Sequence, residues 1–179
     1  GLFEVPLMMR MIIGRSWGQG AQHSQSLQSL LAHIPGLVVV MPATPQSIIS
    51  SYKYAIEHHR GPVIMFEHRL MYELEFDDGA LAPEKAIFGS RLEREGKDIT
   101  VVATSIMLLE AKRAAQYLEQ YGISVEIIDL HSVSHPDYQM ILKSVGKTGR
   151  LIVADTSWVS YGVAAEINRV INEFDPSML

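Results

Sequence analysis

The sequence contains no cysteine, which excludes a disulfide framework and a thiolate nucleophile and makes a reducing cytoplasm the expected location. Long apolar runs are missing too. The longest, such as Leu37 to Met41, falls far short of the ~20 residues a membrane-spanning helix needs, so no membrane partner is expected. Basic residues are in the minority, 15 Lys and Arg against 20 Asp and Glu for a net charge of -5. They are also scattered (Lys53, Arg69, Lys85, Arg113, Lys147), without the basic stripe that a phosphate backbone requires, so nucleic acid is excluded as a partner. No signal-peptide pattern opens the chain, which starts at Gly1 rather than methionine; the expectation is a fragment or a processed product.

What is present is alternation. Strand-length apolar segments and helical patterns follow one another: PLMMRMII, a helix from about Gln22, LVVVM, a helix from about Pro45, then PVIMFE. Strand, helix, strand, helix, strand implies a parallel sheet, and near-continuous hydrophobic strands imply burial on both faces. Thr44-Pro45 reads as a cap followed by proline at the first helical position, and His33-Ile34-Pro35-Gly36 as the stop of the preceding helix. From Phe76 to Glu84 the text becomes FDDGALAPE, acidic and without period, in which Asp77 and Asp78 solvate a linker. Alternation then resumes with ITVVATS, a helix over Met107 to Tyr121, SVEIIDL, a helix over Pro136 to Val145, RLIVADT and a helix over Val163 to Phe174. The expected fold class is therefore α/β, with two doubly wound, mostly parallel-sheet lobes. The first covers residues 1–75, a linker 76–85, and the second 86–179.

The candidate chemistry centres on GRSWGQGAQHSQ, Gly14 to Gln25. Glycine-punctuated and placed after a strand, it is expected to deliver His23 into the start of a helix, at the carboxyl end of the sheet where open α/β folds bind ligands. Imidazole exchanges its proton near neutral pH, and a positioned histidine contributes about a hundredfold to ten-thousandfold as acid or base. The glycines at 14, 18 and 20 match neither GxGxxG nor a Walker loop. His58 and His59 end a helix, where the dipole favours them, and adjacent helical residues diverge too far to chelate one ion. His68, His131 and His135 form no zinc spacing. Arg10 interrupts an apolar strand and needs a partner there.

Read together, VPLMMRMIIGRSWGQGAQHSQSLQSLLAHIPGLVVVMPATP, GPVIMFEHRLMY, GKDITVVATS, VEIIDL and DTSWVSYGVAAEI resemble the beta subunits of thiamine-diphosphate-dependent 2-oxo acid dehydrogenases, relatives of the transketolases. The resemblance implies a partial pyrimidine-binding lobe followed by a transketolase C-terminal-like lobe, missing its last strand and helix. It implies thiamine diphosphate and Mg2+ as cofactors, both completed by an alpha subunit in a heterotetramer, since no GDG motif with a downstream Asn occurs here. It further implies decarboxylation of pyruvate or a related 2-oxo acid, with acyl transfer to lipoamide on an acyltransferase. By the same resemblance His23 is catalytic, handling a proton or stabilising charge beside the cofactor.

The family's activating glutamate lies upstream of this sequence, so no Glu here takes that role. The segment around Ala55, Ile56 and His58 resembles a monovalent-cation loop of some members; the loop AIEHHRG is one residue longer, which counts against bound potassium. His131 and Ser134 stand where relatives carry an arginine and a hydrophobic residue. Two alternatives remain at this point: a non-catalytic fragment that docks the alpha subunit or the acyltransferase core, and a transketolase-type ketol transferase.

Overall fold

The computed structural model describes residues 3–15, 18–76 and 87–178. The linker expected over 76–85 lies, beyond Phe76, outside the described residues, as do Asp77, Asp78 and Lys85.

Two sheets organise the chain. The first has three parallel strands, β1 (Met8–Ile13), β2 (Val38–Val40) and β3 (Val63–His68), in the order β1-β3-β2. Two helices flank it, α1 (Gln28–Ala32) and α2 (Pro45–Glu57). The strand pleat sends alternate residues to opposite faces. Val38, Val40, Val63 and Met65 pack with Ala55 of α2, whereas Val39, Met41, Ile64 and Phe66 pack with Leu31 and Ala32 of α1. Both faces are covered at β2 and β3, which is why LVVVM and PVIMF carry no polar alternation. Helix α2 begins as its sequence requires. Thr44 accepts from Ser47 N, Ser47 accepts in return from Thr44 N, and Pro45 occupies the first turn.

The second sheet runs β4-β6-β5-β7, with β4 (Arg91–Arg94), β5 (Ile99–Ala103), β6 (Val125–Asp129) and β7 (Leu151–Ala154). Strands β5, β6 and β7 are parallel. One face carries α3 (Ile106–Glu119), whose Leu108, Ala111 and Ala115 meet Ala103 and Ile127. The other carries α4 (Tyr138–Thr148) and α5 (Val163–Phe174), whose Ile141, Val145, Ile167 and Ile171 meet Val102 and Ile128. No described helix is long and apolar enough to cross a membrane.

Three expectations need correction. No helix starts at Gln22: Ala21–His23 form a single 3-10 turn and α1 begins five residues later. Gly18 and Gly20 sit at positive φ, and Ser24 Oγ donates to the Gly20 carbonyl at 2.7 Å; serine's local bonding competes with a helix that starts there. Strand β1 is an edge and is not buried on both faces, Met9 and Ile12 being exposed. Finally, β4 is a strand that the sequence pattern does not announce. Arg91, Glu93 and Arg94 mask it, and it pairs antiparallel with β6 as an edge strand, where charge is tolerated.

The two sheets are stitched by backbone. The segment that follows β6 lies along the free edge of β2: Met41 N donates to the His131 carbonyl (2.8 Å) and Val133 N to the Val39 carbonyl (2.9 Å). Val39 N donates to Ser134 Oγ (2.8 Å), with an antiparallel bridge between Val40 and Ser132. An edge that would template pairing is thereby satisfied within the chain.

Candidate functional site

The carboxyl ends of β1 and β3 lie side by side, Ile13 opposite His68, and both strands lead into loops that carry the candidate residues. Gly14 has φ 109, and a Cβ there would stand 2.4 Å from His68 Nε2. Only glycine fits against that ring. Buried His68 accepts from Leu70 N at Nδ1 (3.3 Å), which leaves the ring proton on Nε2. Burial lowers its pKa, so the ring is held neutral.

One residue earlier, Glu67 anchors a polar cluster inside an otherwise apolar cavity of about 560 Å³. Its Oε1 accepts from Tyr52 OH at 2.5 Å, and its Oε2 from Tyr72 OH at 2.8 Å and Arg10 Nε at 2.7 Å. Arg10 also donates to Tyr72 OH (2.8 Å). Burial alone would raise the carboxyl pKa, but the bonds from Tyr52, Tyr72 and Arg10 together bring it below the ordinary value. The same arrangement raises both tyrosines, through burial first and Glu67 second. Arg10 is not buried as its apolar run suggested: more than half exposed on the edge strand β1, it reaches this carboxylate from the solvent side. The cavity walls are Pro42, Pro45, Ile48, Ile49, Leu74 and Phe76.

His23 ends the 3-10 turn with its side chain exposed. It lines neither that cavity nor a second one of about 700 Å³ between α1 and the loop over 157–162, whose walls include Leu27, Leu30, His33, Trp158 and Tyr161. The cation candidates fall on the end of α2. Ala55 is buried, Ile56 is exposed, and His58 caps the helix with its ring edge-on to Tyr54. The described residues contain no group of three or more His, Asp or Glu side chains placed to share a metal ion. His131, far from His23 in sequence, is buried at the seam between the sheets, with Ser51 Oγ at 3.3 Å and Arg91 Nη1 at 2.5 Å.

Sequence reasoning missed Glu67, Tyr52 and Tyr72, whose separations hide their convergence; the charge of Arg10 in an apolar strand was the signal. It also missed Gln28 and Asp155, joined at 2.9 Å across the two sheets.

Two family models match, the transketolase pyrimidine-binding domain over residues 1–75 and the transketolase C-terminal domain over residues 89–177. The chain belongs to the transketolase family. Among its curated relatives, the beta subunit of acetoin:2,6-dichlorophenolindophenol oxidoreductase from Cupriavidus necator is 39% identical, over 94% of this chain and 49% of that protein. The pyruvate dehydrogenase E1 component subunit beta of Acholeplasma laidlawii is 37% identical, over 97% of this chain and 53% of that protein. A solved split-gene transketolase, described as an inactive beta4 tetramer, superposes with a TM-score of 0.78 at 27% identity, over 97% of this chain and 56% of that one. The chain spans about half the length of the curated relatives it matches.

Proposed function

We propose that this chain forms part of the beta subunit of a thiamine-diphosphate-dependent 2-oxo acid dehydrogenase, with residues 1–75 in its pyrimidine-binding domain, 76–85 as linker and 86–179 in its C-terminal domain. The likeness to dehydrogenase-type beta subunits across more than nine-tenths of the chain carries the reading. In this reading an alpha subunit shares the cofactor, a lipoyl-bearing acyltransferase takes the acyl group, the assembly is a heterotetramer and the location is cytoplasmic. The transketolase reading draws on the split-gene neighbour, but identity to that protein is lower, 27% against 39% and 37%.

In this reading the chain meets only the pyrimidine half of the cofactor. Gly14 lets the backbone at the end of β1 pack directly against the neutral, buried ring of His68, and His68 in turn lines the largely apolar cavity of about 560 Å³, surroundings suited to an uncharged heteroaromatic ring. The Mg2+ and diphosphate contacts belong, in this reading, to the alpha subunit, in keeping with a sequence that carries no GDG motif with a downstream Asn. Thiamine diphosphate, when bound, supplies an electron sink for loss of carbon dioxide. This chain's part is to present the exposed imidazole of His23, on a turn that leaves the carboxyl end of β1, as a group that holds or donates a proton. The proposal places no cation at Ala55, Ile56 and His58, because the loop AIEHHRG is one residue longer than the cation loop it resembles.

The test compares His23→Ala with wild type in the full-length beta subunit assembled with its alpha partner. Loss of lipoamide acylation by about a hundredfold is expected, and unchanged acylation would remove the assigned role.

A further inference from the structure

The turn that carries His23 is held locally by bonds within itself, Ser24 N to the Ala21 carbonyl and Ser24 Oγ to the Gly20 carbonyl. It runs into α1, whose first residue, Gln28, is fully buried. Gln28 Nε2 donates to Asp155 Oδ1 (2.9 Å) just beyond β7 in the second sheet. That same oxygen accepts from Thr104 Oγ1 (2.5 Å), while Asp155 Oδ2 accepts from Ser157 N (3.3 Å) and Ser157 Oγ.

The orientation of the Gln28 amide follows. A carboxylate only accepts, so Nε2 must face Asp155 and Oε1 must face away. Oε1 there is buried and without a hydrogen-bond partner. A fully buried amide that leaves one of its two ends unsatisfied is a poor choice for stability, because an apolar side chain of similar length would avoid the cost. What the amide supplies, and an apolar residue would not, is a directed bond that fixes the start of α1 against the other half of the molecule.

We propose that Gln28 is a positioning residue for the His23 turn, fixed from the C-terminal half through Asp155. The function this serves rests on the reading of His23 given above, but the placement does not. The second half of the chain then sets the geometry of a loop that belongs to the first, and a shift of about 1 Å in such a loop is enough to cost about a hundredfold in rate.

The experiment uses the full-length protein assembled with its partner and compares wild type, Gln28→Met, and the pair Gln28→Glu with Asp155→Asn. In that pair the bond is remade with its polarity reversed, the amide introduced at position 155 donating to the carboxylate introduced at position 28. Amide hydrogen exchange over residues 18–27 and the ring resonances of His23 are read beside the thermal midpoint. Gln28→Met is expected to speed exchange in 18–27 by about tenfold or more and to shift the His23 resonances, with the thermal midpoint little changed. The reversed pair is expected to restore both signals. In turnover, Gln28→Met lowers kcat by about tenfold or more with KM for the 2-oxo acid unchanged. A lowered midpoint with unaltered exchange and His23 resonances would overturn the proposal, as would failure of the reversed pair to restore them. If exchange and resonances respond while His23→Ala leaves turnover intact, the positioning stands and the functional reading of His23 falls.

Discussion

His131, just beyond β6, and Ser51 of α2 approach from the two halves of the chain and meet in a buried seam, the imidazole Nε2 lying 3.3 Å from Ser51 Oγ. The other ring nitrogen faces Arg91 Nη1 at 2.5 Å. A guanidinium only donates, so Nδ1 must accept, the proton resides on Nε2, and Ser51 Oγ is the acceptor. The ring joins a β-strand of one half to a helix of the other while its own backbone carbonyl receives Met41 N. His131 also occupies φ 53, a conformation in which asparagine is tolerated and branched residues are not. His131→Leu, which leaves Arg91 without this acceptor, is expected to lower stability by about 3 kcal/mol, and His131→Asn by about half as much. Urea denaturation monitored by circular dichroism measures both, and equal midpoints for the two variants would contradict the account.

Beside that ring, Asp129 is almost wholly buried and its Oδ2 has no hydrogen-bond partner, the Arg91 guanidinium standing 4.0 Å away. Burial pushes its carboxyl up to about 7, against a smaller opposing pull from Arg91. The sign follows from proton linkage. Between the unfolded carboxyl value near 4 and the folded value, the folded state holds a proton that the unfolded state has released. Stability therefore falls as pH rises through that window and levels off above it. Asp129→Asn removes the titration. Between pH 5 and pH 7.5, wild type should lose about 2 to 3 kcal/mol of unfolding free energy more than the variant does; identical slopes would show that Asp129 does not titrate there.

Much of this architecture is legible in the sequence because it rests on local rules. LVVVM and PVIMFE read as strands buried on both faces, and Thr44-Pro45 opens α2 where its cap demands. What the pattern misstates is also local in cause. Arg91, Glu93 and Arg94 conceal a strand because an antiparallel edge tolerates charge, and QHSQ reads as a helix start although glycine and serine bonding closes a 3-10 turn there. The site is harder, since its bonds join distant positions: Arg10 to Glu67, Tyr52 to Glu67, Gln28 to Asp155. Of these only Arg10 advertises its need, as a charge in an apolar strand.

The Glu67 cluster makes that need measurable. Glu67→Gln keeps the shape but loses the charge that three donors share, and is expected to cost about 2 kcal/mol at pH 7, with Tyr52→Phe costing about 1 kcal/mol. Because the folded carboxyl lies below its ordinary value, its contribution is present above pH about 4.5 and is lost as pH falls through the folded value. Wild type should thus lose stability more steeply than Glu67→Gln below pH about 4.5. Parallel acid transitions would rule out an ionised Glu67 as the anchor of the cluster.

Gly14 and His68 provide the sharpest steric test at the candidate site. An alanine at position 14 meets two penalties, a φ of 109 and a Cβ placed 2.4 Å from His68 Nε2. The same change at Gly18 meets only a φ of 81, with no atom within 4 Å. Gly18→Ala should therefore cost about 1 kcal/mol and Gly14→Ala about 3 kcal/mol or more. The difference belongs to the imidazole, so adding His68→Ala to Gly14→Ala should recover part of it, a favourable coupling in a double-mutant cycle. Additive losses would mean that the ring is not what reserves position 14 for glycine.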